Sequence, residues 1–177
     1  MLSDMLASLD ISPAPLPVAR AEVLKLSTTT APEFVDITDQ VVGVVARSMA
    51  TDGMVCVFSR HTTAAVLVNE LEPLLLEDIN VFFERLAPRG ADYRHNDFSV
   101  RTVNMTPNES PNGHSHCLHL TLGASETVPI VNGELALGDW QRIFLVELDH
   151  GRPREVVVQV VGSRAGTLNG RHNGTSG

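Results

Sequence analysis

Short apolar runs separated by turn residues dominate both ends of this chain, and two amphipathic segments lie between them. Residues 21–27 and 34–37 alternate apolar and polar positions, which predicts two opening strands paired as a hairpin. Six further strands are expected at 54–59, 64–69, 128–131, 134–137, 141–148 and 155–161. Asn132-Gly133 is a favoured two-residue hairpin turn, and residues 149–151 are expected to join the last two strands as another pair.

The two amphipathic segments have helical periodicity. The first, Gln40 to Ala50, follows Thr38 and Asp39, either of which can cap it, and the second begins at Pro73, where proline suits a first helical turn. Their apolar stripes comprise Val41, Val44, Val45 and Met49, and then Leu74, Leu75, Ile79, Phe82, Phe83 and Leu86. Residues 114–122 fit a strand or a helix, and we favour a short helix from near Asn112. Strands at both ends with helices inserted predict an α+β fold with two to three helices.

The length and composition predict one domain. A chain of 177 residues with 43% hydrophobic residues can bury a real core. Residues 1–20 contain Pro13, Pro15 and Pro17, which favour an extended arm, and residues 166–177 have too few apolar side chains to order themselves. We expect the domain to span 21–165, between a mobile arm and a flexible tail.

The net charge excludes one large class of partners. Thirteen Lys and Arg against 21 Asp and Glu give −8, which repels a phosphate backbone and argues against nucleic acid. The first 20 residues have neither a basic start nor a long apolar run, so we expect a cytoplasmic protein without membrane association. Cys56 and Cys117 are expected to be free thiols there.

Most of the seven histidines lie in polar, loop-like surroundings, which favours a functional site. Residues 91–112 form a long polar connection containing His95 and Asp97, and His114 and His116 follow it. Imidazole suits zinc, and a His-Xaa-His pair supplies two ligands from one stretch. We predict a divalent metal ion, zinc or magnesium, bound by His95, His114 and His116, with Asp97 as fourth ligand or orienting group. For the pair alone, the alternative is two surface histidines in a polar loop.

Other polar residues are candidates for catalysis or substrate binding. His61, Thr62 and Thr63 lie at a predicted strand end, where an imidazole and two hydroxyls could bind phosphate. The alternative for the threonines is that they satisfy local backbone groups. Glu70 and Asp78 are candidate catalytic acids or partners of an imidazole, although Asp78 could equally be solvated on its helix.

Five further residues complete the predicted substrate-binding set, and each group of them also has a structural alternative. Ser125 could donate to an anion or cap a turn, and Trp140, followed by Gln141, could stack on a ligand or pack. Arg152 and Arg154 flank Pro153, so they could point together at an anion or form a solvated strand edge. No Ser-His-Asp order, P-loop, dinucleotide fingerprint or Cys-Xaa-Xaa-Cys motif occurs in the sequence.

The order of these motifs resembles the YjbQ family, also called UPF0047, from Ala21 through Gly162. The matching stretches are His61-Thr62-Thr63-Ala64, Asn69-Glu70, Tyr93-Arg94-His95, Asn112-Gly113-His114-Ser115-His116, Ser125, Val128-Pro129-Ile130, Gly133 and Gly138-Asp139-Trp140-Gln141. The resemblance implies an α+β domain with a large mixed sheet, a homotrimer, and activity as a secondary thiamine-phosphate synthase.

That resemblance leads to a hypothesis of function. The protein would be a transferase that joins hydroxymethylpyrimidine diphosphate to a thiazole phosphate and releases diphosphate. Arg152 or Arg154 and a divalent ion would steady the departing diphosphate, while residues 61–63 position substrate. Two alternatives are a trimeric protein that binds a metal or a phosphorylated metabolite without catalysis, and a metal-assisted hydrolase with Glu70 as base.

Overall fold

The computed structural model describes residues 14–166, which form eight strands and three helices. The strands are β1 (Leu16–Ser27), β2 (Glu33–Asp36), β3 (Asp52–Ser59), β4 (Ala64–Glu70), β5 (Ser125–Val131), β6 (Glu134–Leu135), β7 (Gln141–Glu147) and β8 (Pro153–Arg164). The helices are α1 (Thr38–Ser48), α2 (Pro73–Leu86) and α3 (Gly113–Leu122), with a 3-10 turn at Arg94–Asn96. The α+β class is confirmed, as is the helical interpretation of residues 114–122.

The strands form two sheets. One has five strands in the order β1-β8-β3-β5-β6, and the other has three in the order β2-β7-β4. Neighbouring strands are antiparallel throughout. Two antiparallel sheets therefore take the place of the single large mixed sheet that the resemblance implied.

Two of the three predicted strand pairs are wrong. β1 and β2 lie in different sheets, and so do β7 and β8, because each connection crosses from one sheet to the other. The third pair, β5 with β6, is confirmed as a hairpin. Asn132 and Gly133 have φ of 53° and 84°, which are the positive values that a tight turn of this kind requires.

The three-stranded sheet lies in the middle of the molecule and is covered on both faces. Side chains alternate along a strand, so Leu145 and Val66 face the five-stranded sheet and α1, while Phe144 and Ala65 face α2 and α3. All four are fully buried. A strand covered on both sides needs a continuous apolar run, which is what β7 has until Glu147.

The predicted apolar stripes of the helices are only partly buried. Phe83 is buried in α2, but Leu74, Phe82 and Leu86 are 68%, 57% and 47% exposed, because α2 contacts the core along a narrow line. Met49 is 59% exposed because it adopts a left-handed conformation and ends α1. These four members of the predicted stripes therefore lie outside the core of the single chain.

The strand β1 begins before the predicted domain does. Leu16 to Arg20 pair with residues 160–164 of β8, so this part of the expected arm belongs to the sheet. The rest of the arm that precedes residue 14, and the tail after residue 166, lie outside the described residues. None of the helices within 14–166 is long and apolar enough to span a membrane.

Candidate functional site

A cleft of about 460 Å³ opens at the end of the sheets where β3 ends and β4 and β8 begin. The β3–β4 turn, the long 91–112 connection, the start of α3 and the start of β8 meet there. It is lined by Arg60, His61, Thr62, Thr63, His95, Arg101, Asn104, Glu109, Asn112, His116, Arg152 and Arg154. We call this cleft the arginine pocket.

Two arginines converge on Thr63. Nη2 of Arg152 and Nη2 of Arg154 donate to Thr63 Oγ1 at 3.0 and 3.1 Å. A hydroxyl oxygen accepts two hydrogen bonds and donates one, so its acceptor capacity is filled and its proton is available to a ligand. Thr63 is 4% exposed, and its carbonyl accepts from the backbone N–H of Leu148 at 3.1 Å. The pocket thus presents a fixed hydroxyl donor beside two guanidinium groups.

Buried carboxylates hold both arginines. Glu147 accepts from Arg154 Nε at 2.5 Å and also from its Nη2, and Asp149 accepts from Arg152 Nη2. The side chain of Arg154 is 2% exposed, whereas that of Arg152 is 34% exposed. The charge of Arg154 is therefore enclosed and matched, and Arg152 is the guanidinium that a ligand can reach.

Strand alternation explains why Glu147 and Arg154 meet. Glu147 continues the β7 positions that face the five-stranded sheet, and Arg154 precedes Val156 on the inward face of β8. Both side chains therefore point into the space between the sheets, where an unpaired charge is costly. The Thr28 hydroxyl at 2.9 Å and the backbone N–H of Asp149 at 3.0 Å complete the donors around Glu147.

Asp149 is also surrounded by donors. Burial by itself raises its pKa, but hydrogen bonds from His150 and Asn112 and the charge of Arg152 outweigh this and hold the pKa below its ordinary value. The Asn112 side chain donates to Oδ2 at 3.2 Å, and His150 Nδ1 lies 3.1 Å from Oδ1. Asp149 stays ionised and connects the start of α3 to Arg152.

His61 is held as a hydrogen-bond donor. The backbone N–H of Glu155 donates to His61 Nε2 at 2.8 Å, so Nε2 carries no proton and the neutral ring carries it on Nδ1. Burial lowers the pKa of His61, and the charges of Arg154 and Arg152 lower it further. His61 was predicted as a catalytic residue, and this geometry leaves it an N–H to donate rather than a nitrogen to accept a proton.

His95 and His116 form a second pair in the arginine pocket. Their ring centroids are 4.6 Å apart with an interplanar angle of 67°. Burial lowers the pKa of His116, and the neighbouring His95 lowers it further. Arg101 donates to the carbonyl of His95 at 3.4 Å and to Glu109 at 2.9 Å, which fixes the 91–112 connection against this pair.

His114 does not join His95 and His116. Residues two apart on a helix lie about 200° apart around its axis, so His114 and His116 leave α3 on opposite sides. His114 is 3% exposed and lines a different cavity, between α2 and α3. Its prediction as a metal ligand alongside His116 is therefore wrong within one chain.

Asp97 is also separate from the histidine pair. Its carboxylate accepts from the hydroxyl of Ser99 at 2.6 Å and from the backbone N–H of Ser99 at 3.0 Å, and it does not line the arginine pocket. Within residues 14–166, no three or more His, Cys, Asp or Glu side chains are grouped to hold a metal ion. The four-residue ligand set does not assemble, and His95 with His116 is the part of it that does.

Five other predicted catalytic or substrate-binding residues lie outside the arginine pocket of their own chain. Glu70 ends β4, six residues or about 20 Å along the strand from Ala64 at the pocket end. Asp78 is exposed on α2, and Ser125 is exposed at the start of β5. Trp140 is 74% exposed, and Gln141 accepts from the backbone N–H of Gly138 at 2.8 Å. The remaining candidates that do line the pocket are His61, Thr62, Thr63, His95, His116, Arg152 and Arg154.

Comparison with known proteins identifies the family. A family model described as "UPF0047 protein YjbQ-like" matches residues 22–163. The chain belongs to the YjbQ-like UPF0047 family. A UPF0047 protein from Methanothermobacter thermautotrophicus is 41% identical over 139 residues, which cover 78% of this chain and 90% of that protein. The UPF0047 protein YugU of Bacillus subtilis is 29% identical over 142 residues, which cover 80% and 98%.

Solved structures of the UPF0047 family share the fold. A YbjQ-like protein of unknown function from Sulfolobus solfataricus P2 matches with a TM-score of 0.75 and 33% identity, covering 83% of this chain and 99% of that one. A hypothetical protein from Aeropyrum pernix K1 matches with a TM-score of 0.72 and 34% identity, covering 81% and 98%. The family and the fold class expected from the sequence are both confirmed.

Sequence reasoning missed the two acids that organise the pocket. Glu147 is the one charged residue within the otherwise apolar run 143–148, and a lone carboxylate in a buried strand requires a cationic partner. That pattern could have identified Glu147 and directed attention to an arginine on a neighbouring strand. Asp149 was assigned only to a turn, and nothing in its local sequence indicates that it contacts Asn112 and Arg152.

Proposed function

We propose that the arginine pocket binds the phosphate groups of a small metabolite, and that the protein is a diphosphate-releasing transferase of the thiamine-phosphate synthase kind. The observation that carries the proposal is the convergence of Arg152 and Arg154 on the hydroxyl of Thr63. Guanidinium groups and hydroxyl donors bind phosphate oxygens by charge-assisted hydrogen bonds. The His61 N–H is a further donor in the same cleft.

The proposed reaction suits this set of donors. The carbon–oxygen bond between the methylene group of the pyrimidine and its diphosphate breaks, and its electron pair leaves with the diphosphate. The thiazole nitrogen supplies the pair for the new carbon–nitrogen bond, so no proton has to be removed at the reacting atoms. Arg152 and the hydroxyl of Thr63 would stabilise the charge that grows on the departing oxygen, and His61 would donate to another phosphate oxygen.

A divalent ion, zinc or magnesium, stays a prediction with a reduced ligand set. His95 and His116 could supply two nitrogen ligands, whereas His114 and Asp97 face elsewhere. Two imidazoles fall short of the three or four protein ligands usual for zinc. The steps proposed above therefore depend only on side chains of this chain. Elemental analysis of untagged protein, compared with a His95→Ala variant, tests whether an ion is bound at the pair.

Binding without catalysis is the second candidate, and one observation favours it over metal-assisted hydrolysis. The acids that line or support the pocket are all engaged by donors, as Glu109 is by Arg101 and Thr106. None of them is therefore free to act as a general base, which disfavours hydrolysis, whereas the transfer step proposed above requires no base. Glu70, the base of the predicted hydrolase, lies at the far end of β4.

Calorimetry with inorganic diphosphate tests phosphate binding in the arginine pocket, which both candidate functions require. Arg152→Met should weaken binding about 10- to 100-fold, as expected for loss of a charge-assisted bond worth about 1.5–3 kcal/mol. Arg142→Met is the matched control, because Arg142 is similarly exposed, at 36%, and pairs with Asp36 and Asp39 outside the pocket. Equal weakening by both variants would contradict the proposal.

A turnover assay then separates the two candidates. Purified protein is incubated with hydroxymethylpyrimidine diphosphate and thiazole phosphate, with magnesium or zinc, and thiamine phosphate is measured. We expect product from the unmodified protein and at least a tenfold loss with Thr63→Val, which removes the hydroxyl donor. Tight binding of diphosphate without product would reject the transferase and favour the binding protein.

The predicted homotrimer has some support from the exposed sheet face. Met54, Phe58 and Val161 lie on the outer face of the five-stranded sheet and are 53%, 44% and 51% exposed. Large apolar side chains grouped on one face are typical of surfaces that another protein covers. We propose that further copies of this chain cover it, and sedimentation equilibrium measures how many.

A further inference from the structure

A second cavity, of about 50 Å³, lies between α2, α3 and the end of β7. Four of its lining residues, Phe83, Ala87, Leu118 and Leu148, are apolar and 1–5% exposed. The wall also contains four polar or charged residues, which are Asn80, Glu84, Arg89 and His114. It does not share a lining residue with the arginine pocket. The cavity therefore has to be explained separately from the proposed function.

Two polar atoms of lining residues are buried without partners. His114 Nδ1 and Asn80 Oδ1 are both enclosed, and neither has a hydrogen-bond partner within residues 14–166. His114 as a whole is 3% exposed. Buried polar atoms in folded proteins are nearly always hydrogen-bonded to protein or to ordered water, so two of them on residues that line one small cavity indicate a bound molecule.

The hydrogen bonds of Ser115 determine which ring nitrogen of His114 carries the proton. The hydroxyl of Ser115 donates to the carbonyl of Leu148 at 2.7 Å, which uses its single proton. His114 Nε2, 3.1 Å from the same hydroxyl oxygen, must then be the donor of that contact. The neutral ring is left with a bare Nδ1, which is an acceptor.

The cavity therefore needs a molecule that donates two hydrogen bonds, one to each acceptor. A water molecule does this, and the volume exceeds the roughly 10–15 Å³ that one water requires. Arg89 also lines the cavity, and it donates to the carbonyl oxygens of Asp149 and Ala31 at 3.3 and 3.4 Å. A guanidinium has five N–H groups, so Arg89 retains donors for the water oxygen.

We propose that an internal water molecule occupies this cavity and bridges His114 Nδ1 to Asn80 Oδ1. The bridge joins α2, which carries Asn80, to α3, which carries His114 on one side and His116 on the other. Through Ser115 and Arg89 it also connects both helices to the end of β7. His114 is thus an anchor for α3, and the water is a structural part of the fold.

Water–protein NMR on the full chain tests the proposal directly. A water molecule held in the cavity should give cross peaks from the water resonance to the Ala87 methyl group and to the ring protons of His114. The ring nitrogens should show a protonated Nε2 and an unprotonated Nδ1 at neutral pH. Absence of the cross peaks, or a proton on Nδ1, would overturn the proposal.

Two variants of Asn80 sharpen the test. Asn80→Leu removes one acceptor and fills space, so the cross peaks should disappear, whereas Asn80→Asp keeps an acceptor oxygen and should retain them. Cross peaks that persist in Asn80→Leu would refute the bridge. Should Asn80→Leu fail to fold, the cross peaks and ring tautomer of the unmodified protein decide the matter. The arginine pocket contains none of these residues, so loss of diphosphate binding would leave this proposal unaffected.

Discussion

Replacing Glu147 by Gln would test how the arginine pocket is held together. Glu147 is fully buried, and its carboxylate accepts two bonds from Arg154, one from the hydroxyl of Thr28 and one from the N–H of Asp149. Gln keeps the size of the side chain but removes its charge and turns one acceptor into a donor that faces other donors. The guanidinium is then buried without a counter-charge.

The size of the effect follows from that burial. Removing one partner of a buried ion pair costs about 3–5 kcal/mol. For a domain of this length, 1 kcal/mol shifts the melting midpoint by about 2–4 °C, so Glu147→Gln should lower it by about 6–20 °C. Urea unfolding followed by circular dichroism measures the free energy of unfolding itself. The double variant Glu147→Met with Arg154→Met removes both charges and should recover most of the loss.

A matched control separates burial from simple loss of a carboxylate. Glu155 pairs with Arg60 at 2.5 Å, but their side chains are 38% and 54% exposed. An exposed pair is worth about 0–1 kcal/mol, so Glu155→Gln should change stability little. If the free energies of unfolding of Glu147→Gln and Glu155→Gln differed by less than about 1 kcal/mol, the buried pair would not be what secures the pocket.

Three further outcomes are expected. Because the pKa of His61 is lowered in the folded state, the unfolded chain binds more protons below about pH 6.5. The free energy of unfolding, measured against pH, should therefore fall on acidification through that range, and it should fall less steeply in His61→Gln. Gly113→Ala should cost about 1–3 kcal/mol, because an added Cβ would lie 2.5 Å from Tyr93 Cβ, whereas Gly90→Ala, with no atom within 4 Å, should be neutral in a thermal-shift assay. Val161→Lys should dissociate the proposed trimer in sedimentation experiments, and an unmodified protein that sediments as a monomer would contradict it.

The local elements were predictable because their signals are local. Pro73 starts α2 and the two positive-φ residues Asn132 and Gly133 make the β5–β6 turn, and both features can be read from a few neighbouring residues. The pairing of strands, in contrast, cannot be read from neighbouring residues. β7 and β8 are consecutive apolar runs, yet each finds its partners elsewhere in the chain. The short connection between them predicted a hairpin, but it crosses from one sheet to the other.

The predicted four-residue ligand set did not assemble, for a reason that the sequence already contained. Residues 114–122 were expected to be helical, and a helix places residues i and i+2 on opposite sides. His114 and His116 could act together only if that segment were a strand. The two expectations were incompatible, and the helix decides between them. His95 could be associated with His116 only after the fold of the 91–112 connection was known, because 20 residues separate the two rings.

The arginine pocket has less unpaired positive charge than its number of arginines indicates. Each of the four lining arginines has a carboxylate partner: Arg60 with Glu155, Arg101 with Glu109, Arg152 with Asp149, and Arg154 with Glu147. A chain of net charge −8 can therefore hold four guanidinium groups together without strong mutual repulsion. Phosphate recognition then depends on N–H and O–H groups fixed in direction by those carboxylates. Arg152 contacts both Asp149 and Thr63 through Nη2, which leaves Nη1 for a ligand. Lysine at position 152 would keep the charge but has a single nitrogen, so Arg152→Lys should bind diphosphate nearly as poorly as Arg152→Met. Affinity restored by lysine would show instead that charge alone attracts the ligand.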